Sequence, residues 1–165
     1  MIEQTEAAVC CVSETWGRSN TNGGTLISDL IDIEGYRIVI DGLIKNIVQR
    51  RRKGGKLAIL ISEKEYYIKE LCPEIITVPI DVEVAWALLT PKYRSHQSKV
   101  KHIAVASVYY SSTQTRKSDF LDHITESYNL LCAKYGSDLK FLIVGDINRL
   151  NIKPILNLTF IKLSK

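Results

Sequence analysis

The sequence predicts an α/β protein of α+β type, in which strands that follow one another along the chain fold into a layered sandwich. Three observations lead to this expectation. Strand-like segments succeed one another between residues 36 and 110 with no helical pattern among them. One amphipathic helix then spans residues 118–135, and a short apolar strand, Phe141–Val144, follows it. Many consecutive strands favour hairpins over a strictly alternating order of strands and helices.

The expected strands are short segments rich in β-branched and aromatic residues, bounded by glycine, proline or polar residues. The segment KLAILIS is apolar on both faces, so we expect that strand to be buried on both sides. The strands are expected at residues 7–13, 36–40, 56–62, 66–71, 75–80, 82–90 and 102–110.

The helix is the clearest single element of the sequence. Ser118 is a suitable N-cap, and Asp119 and Asp122 complement the positive end of the helix dipole. Gly136 follows the last turn as a residue that adopts a left-handed conformation readily. The residues of the expected apolar stripe are Phe120, Leu121, Ile124, Tyr128, Leu131, Cys132 and Tyr135.

Length and composition predict one domain over residues 1–165. The 165 residues include 45% hydrophobic and 24% charged residues, a balance typical of a globular chain rather than a disordered one. No apolar run approaches the ~18 residues of a membrane span, and the first residues lack the pattern of a secretory signal. We therefore expect an intracellular protein, with the nucleus as one candidate compartment, no membrane association and no obligate protein partner.

Cysteines and histidines do not form a recognisable site in the sequence. The four cysteines include no pair spaced as zinc ligands, and we expect them to be buried free thiols. The three histidines are expected to be structural or exposed. These residues are Cys10, Cys11, Cys72, Cys132, His96, His102 and His123.

The net charge is +4, and the positive charge is concentrated in two clusters. One cluster is Arg50, Arg51, Arg52 and Lys53, and the other comprises Lys92, Arg94, Lys99 and Lys101. Each cluster is compatible with a solvated loop or with phosphate contacts to a nucleic acid. For the arginine run, a nuclear-import signal is a third interpretation.

Three expected strands end on residues that could carry chemistry. The stretch FLIVGDIN places Asp146 and Asn148 two residues apart, so in extended backbone they share one side. The same stretch is also a common turn composition. Glu14 follows the apolar run VCCVS and could be a solvated strand end or an oxygen ligand of a divalent cation. Tyr109 closes another strand and could pack or could contact a phosphate oxygen.

The order of these segments resembles the endonuclease/exonuclease/phosphatase superfamily, the deoxyribonuclease-I-like fold. VCCVSETW is similar to its "(I/V)-C-x-(S/T)-E-T-W" segment, IAVASVYYSS to its "VY-R-P-P" strand and FLIVGDIN to its "GDFN" strand. RRKGGKLAILIS is similar to its Gly-Gly followed by a strand. The closest likeness is to the endonuclease domain of non-LTR retrotransposon polyproteins, and it covers residues 7–157.

The resemblance implies a four-layered α/β sandwich that cleaves phosphodiesters, with DNA as the expected substrate and Mg²⁺ or Mn²⁺ as the cofactor. Glu14 would be the metal ligand and Tyr109 would contact the scissile phosphate. Asp146 would orient or deprotonate the attacking water, and Asn148 would help to fix the phosphate. We assign nucleic-acid contacts to Arg50, Arg51, Arg52, Lys53, Lys92 and Arg94.

The chain departs from the family pattern at both ends. No asparagine stands on a strand before Glu14, and no Ser-Asp-His segment follows Asn148. We therefore expect an incomplete domain, cut at both ends. Two alternatives stay open: a nucleic-acid-binding module without catalytic activity, and a phosphatase-type member of the same superfamily.

Overall fold

The structure, a computed structural model, describes residues 7–15, 33–40, 56–71, 74–79, 82–93, 100–110 and 117–147. These ranges contain two sheets and a helix, so the fold is of the α+β type that the sequence predicts. The strands are β1 (Val9–Thr15), β2 (Tyr36–Ile40), β3 (Lys56–Ser62), β4 (Tyr66–Leu71), β5 (Glu83–Pro91), β6 (His102–Tyr109) and β7 (Leu139–Asp146). The helix α1 (Lys117–Tyr135) connects β6 to β7 and is followed by a 3₁₀ turn, Gly136–Asp138.

The two sheets have different connectivity. The first sheet has the order β1-β3-β2 and is antiparallel. The second sheet has the order β4-β5-β6-β7, antiparallel except for the parallel pair β6 and β7. A parallel pair needs a crossover connection, and α1 supplies it. Consecutive antiparallel strands over residues 66–109 confirm the prediction of hairpins in this region.

The space between the sheets is filled by an apolar core. Strand β3 is central in the first sheet, and residues 57–62 are all buried, which confirms the expected burial on both faces. The second sheet contributes alternate residues of β5 and β6, as expected for the two-residue period of a strand. This inter-sheet core contains Val39, Leu57, Ile59, Ile61, Ala85, Ala87, Leu89 and Val105.

A second core lies between the other face of the second sheet and α1. The apolar stripe of the helix faces it, with Phe120, Ile124 and Leu131 buried against Trp86 and Ile143. Full burial of one such side chain stabilises the fold by about 1.5–3 kcal/mol. The described residues thus form three layers, and the fourth layer expected for the family lies outside them.

The termini of α1 agree with the sequence only at the carboxyl end. Gly136 has a φ of 63°, the left-handed conformation expected after the last turn. The helix begins at Lys117, one residue before the expected N-cap. Ser118 is therefore inside the first turn, and its hydroxyl donates to Asp119 Oδ1 at 3.2 Å.

Two other expectations are wrong. Residues 76–79 form no strand, because β5 already pairs on both sides with β4 and β6, and Ile76 instead packs into the helix-side core. The cysteines in the described ranges are free but not buried: Cys10 is exposed, and Cys11 and Cys132 are half-buried. Cys10 is exposed because β1 is an edge strand and residue 10 lies on its outer face. The described helix is not long and apolar enough to cross a membrane.

Candidate active site at the carboxyl ends of three strands

The last residues of β6 and β7 are direct neighbours. Because the two strands are parallel, their carboxyl ends meet at one edge of the sheet, and Tyr109 is paired with Asp146. The backbone N–H of Tyr110 donates to the carbonyl oxygen of Asp146 at 2.8 Å, which continues the ladder past β6. Both paired side chains are half-buried. A phenol and a carboxylate are thus fixed side by side on rigid backbone.

Gly145 allows β7 to reach this position. A Cβ built on Gly145 would lie 1.8 Å from the carbonyl oxygen of Val108 on β6. Its φ of 150° is also a conformation that residues with a Cβ rarely adopt. Glycine is therefore required for the backbone approach that places Asp146 beside Tyr109.

A second carboxylate stands on the other side of Tyr109. Glu83, the first residue of β5, is the register partner of Tyr109 in the antiparallel pair. Glu83, Tyr109 and Asp146 therefore form one row across three strands, and the two outer backbones are about 10 Å apart. The sequence analysis missed Glu83, because only the register between β5 and β6 brings it next to Tyr109.

The row Glu83–Tyr109–Asp146 lies on the face of the second sheet that is turned toward the first. Tyr109 packs against the inter-sheet core. Leu142 does so too, and it lies four residues before Asp146 on β7, so the two side chains share one face of the strand. Glu83 lies two residues before Ala85 on β5 and therefore on the same face of the strand, and Ala85 is a buried member of this core. The row is therefore at the rim of the space between the two sheets.

Strand β1 ends at the same rim. The N–H of Ser62 donates to the carbonyl oxygen of Ala8, so the start of β1 lies beside the end of β3. The N–H of Lys92 donates to the carbonyl oxygen of Glu65, so the turn after β3 lies beside the end of β5. Since β5 begins at Glu83, the start of β1 is at the end of the sandwich remote from the row, and Thr15 is at the near end.

An irregularity in β1 lies next to Glu14. Val12 pairs with Ala58 and Thr15 with Lys56, so three steps on β1 oppose two steps on β3, as in a β-bulge. The extra residue is at position 13 or 14, since neither has a register partner in this ladder. The side chain of Glu14 itself lies outside the described part.

Cys11 and Ser107 connect the two sheets behind the row. Burial raises the pKa of the Cys11 thiol to about 12, and the negative charge on Cys10 adds to the effect. The nearby Ser107 hydroxyl acts on this pKa in the opposite direction. Tyr109 follows Ser107 by two residues, so the packing of β1 against β6 lies directly behind the row.

The donors of the row suit a hard divalent cation. The row contains two carboxylates and a phenol and no histidine or cysteine. Mg²⁺ and Mn²⁺ prefer oxygen ligands of this kind. Among the described residues, no group of three or more His, Cys, Asp or Glu side chains is close enough to hold a metal ion.

The described histidines are structural, as expected. Trp86 Nε1 donates to His123 Nε2 at 3.2 Å, and His123 is buried against the helix-side face of the sheet. Burial lowers the pKa of His123 to about 4, so the ring is neutral at pH 7. His102 Nδ1 is 3.1 Å from Thr90 Oγ1, at the end of the sheet remote from Tyr109.

Several of the predicted site residues lie outside the described ranges. They are Asn148, His96, Arg50, Arg51, Arg52, Lys53 and Arg94. Lys92 is described, and it follows β5 at the end of the sandwich opposite the row. The eight-residue rise from Glu83 to Pro91 corresponds to about 26 Å, so Lys92 does not belong to the same site as Tyr109.

Comparisons with known proteins give structural likenesses only. No protein-family model and no curated protein matches the chain. Among solved structures, the chain is similar to the crystal structure of humanized D. rerio TDP2 with 14 mutations. That likeness has 14% sequence identity and a TM-score of 0.43, and it covers 76% of this chain and 46% of that chain. The chain thus spans less than half of the length of that structure.

Proposed function

We propose that the chain is a metal-dependent phosphodiesterase domain of DNA-endonuclease type, of retroelement origin and deoxyribonuclease-I-like fold. The observation that carries the proposal is the register pair Tyr109–Asp146 at the carboxyl ends of β6 and β7, with the end of β1 at the same rim. Two residues singled out from separate segments of the sequence are thereby adjacent. The family pattern requires this proximity, and no local feature of either segment enforces it.

Asp146 is the group that orients the attacking water or takes its proton. Its backbone has a fixed position because Gly145 and the ladder to Tyr110 hold it. General-base catalysis of this kind contributes about 10²–10⁴ to a rate. Asn148, two residues on, supplies a neutral hydrogen-bond donor to the phosphate.

Tyr109 donates a hydrogen bond from its phenol to an oxygen of the scissile phosphate. A donor fixed in advance where negative charge develops is worth about 10²–10³ in rate. The packing of Tyr109 against the inter-sheet core provides this fixation.

Glu14 is the proposed ligand of Mg²⁺ or Mn²⁺, and the proposal is supported by the end of β1 lying at the same rim as Tyr109 and Asp146. A cation bound there would neutralise charge on the phosphate and on the leaving oxygen. Contacts to the DNA phosphates are proposed for Arg50, Arg51, Arg52 and Lys53, which lie outside the described residues.

An assay of the nicking of supercoiled plasmid in the presence of Mg²⁺ tests this function. We expect nicking that EDTA abolishes and that Asp146→Asn lowers at least about a hundredfold. Tyr109→Phe should lower it by about 10²-fold while leaving the fold intact. The matched control is Asp122→Asn, which removes an exposed carboxylate on the helix and should leave nicking unchanged.

Hydrolysis of p-nitrophenyl phosphate, a phosphate monoester, should be measured with the same protein preparations. Hydrolysis of the monoester without plasmid nicking would contradict the endonuclease and favour a phosphatase. Nicking that survives both EDTA and Asp146→Asn would contradict the mechanism.

A further inference from the structure

A cluster of aromatic rings and lysines lies at the end of the second sheet that is remote from Tyr109. Tyr67 on β4 is paired with Thr90 on β5, and Thr90 contacts His102 on β6. The ring of Tyr135, at the end of α1, packs edge-on against His102 with the ring centroids 5.1 Å apart. One surface is thus built from three strands and the last turn of the helix.

Lysines stand over the rings of this surface. Lys92 Nζ is 4.6 Å from the centroid of Tyr67. Lys69 Nζ and Lys134 Nζ are 4.9 and 5.3 Å from the centroid of Tyr135. We call Tyr67, Lys69, Lys92, His102, Lys134 and Tyr135 the distal patch. The cation–ring contacts found among the described residues all lie in it.

The balance of charge in the distal patch is positive. Glu70 Oε1 accepts hydrogen bonds from the Tyr135 hydroxyl at 3.0 Å and from Lys134 Nζ at 3.4 Å. This one carboxylate stands against three lysine ammonium groups. Tyr67 is 61% exposed, and Tyr93, one residue past Lys92, is 74% exposed. The patch therefore offers both positive charge and uncovered ring surface to a ligand.

We infer that the distal patch binds single-stranded nucleic acid. Its phosphates would contact the lysine ammonium groups, and its bases would stack on the exposed ring of Tyr67 and on that of Tyr93, which adjoins the patch in the sequence. Base–aromatic stacking is worth about 1–3 kcal/mol per base, and positive charge tracks the backbone. A duplex keeps its bases stacked inside and cannot use the rings.

The distal patch and the rim at Tyr109 are separate surfaces. About 26 Å of β5 lies between the level of Glu83 and that of Pro91. The inference therefore does not depend on the phosphodiesterase proposal. A single strand bound at the patch would lie outside the rim at Tyr109.

Fluorescein-labelled oligo(dT)₂₀ in EDTA tests the inference, with fluorescence anisotropy read on the full chain. We expect binding in which the logarithm of the association constant falls linearly with the logarithm of the salt concentration. The triple variant Lys69→Gln, Lys92→Gln, Lys134→Gln should reduce the slope by about 2, since each phosphate contact on a single strand contributes about 0.7. Lys140→Gln, an exposed lysine of β7 outside the patch, is the control and should leave the slope unchanged.

The contribution of stacking is tested at Tyr67. Tyr67→Ser should weaken binding about tenfold, whereas Tyr67→Phe, which keeps the ring, should bind as the native chain does. Asp146→Asn should bind oligo(dT)₂₀ as the native chain does although it loses plasmid nicking, so that the two proposals fail separately. The inference is overturned if the native chain does not bind oligo(dT)₂₀ or if the triple variant keeps its slope. Equal binding by Tyr67→Ser and Tyr67→Phe would also overturn it, by showing a surface that recognises charge alone.

Discussion

Gly145 on β7 lies so close to Val108 on β6 that a Cβ at position 145 would be 1.8 Å from the Val108 carbonyl oxygen. Both partners of this contact are backbone, so neither can rotate away as a flexible side chain would. The contact stands directly before the pair Tyr109–Asp146. The stability of the fold and the geometry of the candidate site therefore depend on the same glycine.

Gly145→Ala should destabilise the chain by about 3 kcal/mol or more, because overpacking and an unfavourable φ act together. Urea unfolding followed by circular dichroism measures this free energy. Gly136→Ala is the matched control: its φ is 63°, but a Cβ there would meet nothing within 4 Å. That substitution should cost only about 1–2 kcal/mol. Equal costs at the two positions would contradict the close approach of β6 and β7.

His123 should make the stability depend on pH. Its pKa is lowered to about 4 in the folded chain and is about 6.5 when unfolded, so the unfolded state binds a proton first as the pH falls. The free energy of unfolding should therefore be unaffected by His123 above pH 6.5 and should decrease between pH 6.5 and 4, by up to about 3 kcal/mol.

Urea unfolding of the native chain and of His123→Gln, at pH 7.5 and at pH 4.5, isolates this contribution from those of the carboxylates. Between pH 7.5 and pH 4.5, the free energy of unfolding should decrease more for the native chain than for His123→Gln. A difference that is the same at both values would show that His123 titrates normally in the folded chain.

Cys10 and Cys11 should differ in their reactivity although they are adjacent in the sequence. Burial raises the pKa of Cys11 to about 12, so its thiol is protonated at neutral pH, and the thiol is half-buried. Cys10 is exposed on the outer face of the first sheet. The thiolate is the reactive form, so alkylation of Cys11 should be much slower.

Iodoacetamide labelling at pH 7.5, followed by tandem mass spectrometry, assigns the modification to either residue. We expect Cys10 to be labelled first and Cys11 only after the addition of urea. The variant Cys10→Ser should abolish the fast phase at this site, and Cys11→Ser should leave it in place. Fast labelling of Cys11 in the native chain would contradict its position between the sheets.

The sequence predicted those features of the fold that depend on local patterns. The central burial of β3 followed from a segment that is apolar on both faces, and α1 followed from a stripe of helical spacing ended by Gly136. Residues 75–80 show the limit of such reasoning. Their apolar pattern is that of a strand, but the neighbouring edge of β5 is already occupied, so Ile76 enters the core from irregular backbone.

The candidate site depended on pairing that no local pattern contains. Asp146 and Tyr109 were singled out as strand ends, but the register that makes them neighbours belongs to the sheet. Glu83 was missed for the same reason. In β1, simple alternation cannot be carried past Val12, because an extra residue interrupts the ladder before Thr15.

Anomalous diffraction from crystals of the chain grown with Mn²⁺ tests the central claim most directly, because it locates the cation and its ligands together. The account predicts a Mn²⁺ ion at the rim between the end of β1 and the pair Tyr109–Asp146, with the carboxylate of Glu14 among its ligands. Crystals of Glu14→Gln should lose that peak. A Glu14 carboxylate directed to the outer face of the first sheet, or Mn²⁺ bound at the rim of Glu14→Gln, would contradict it.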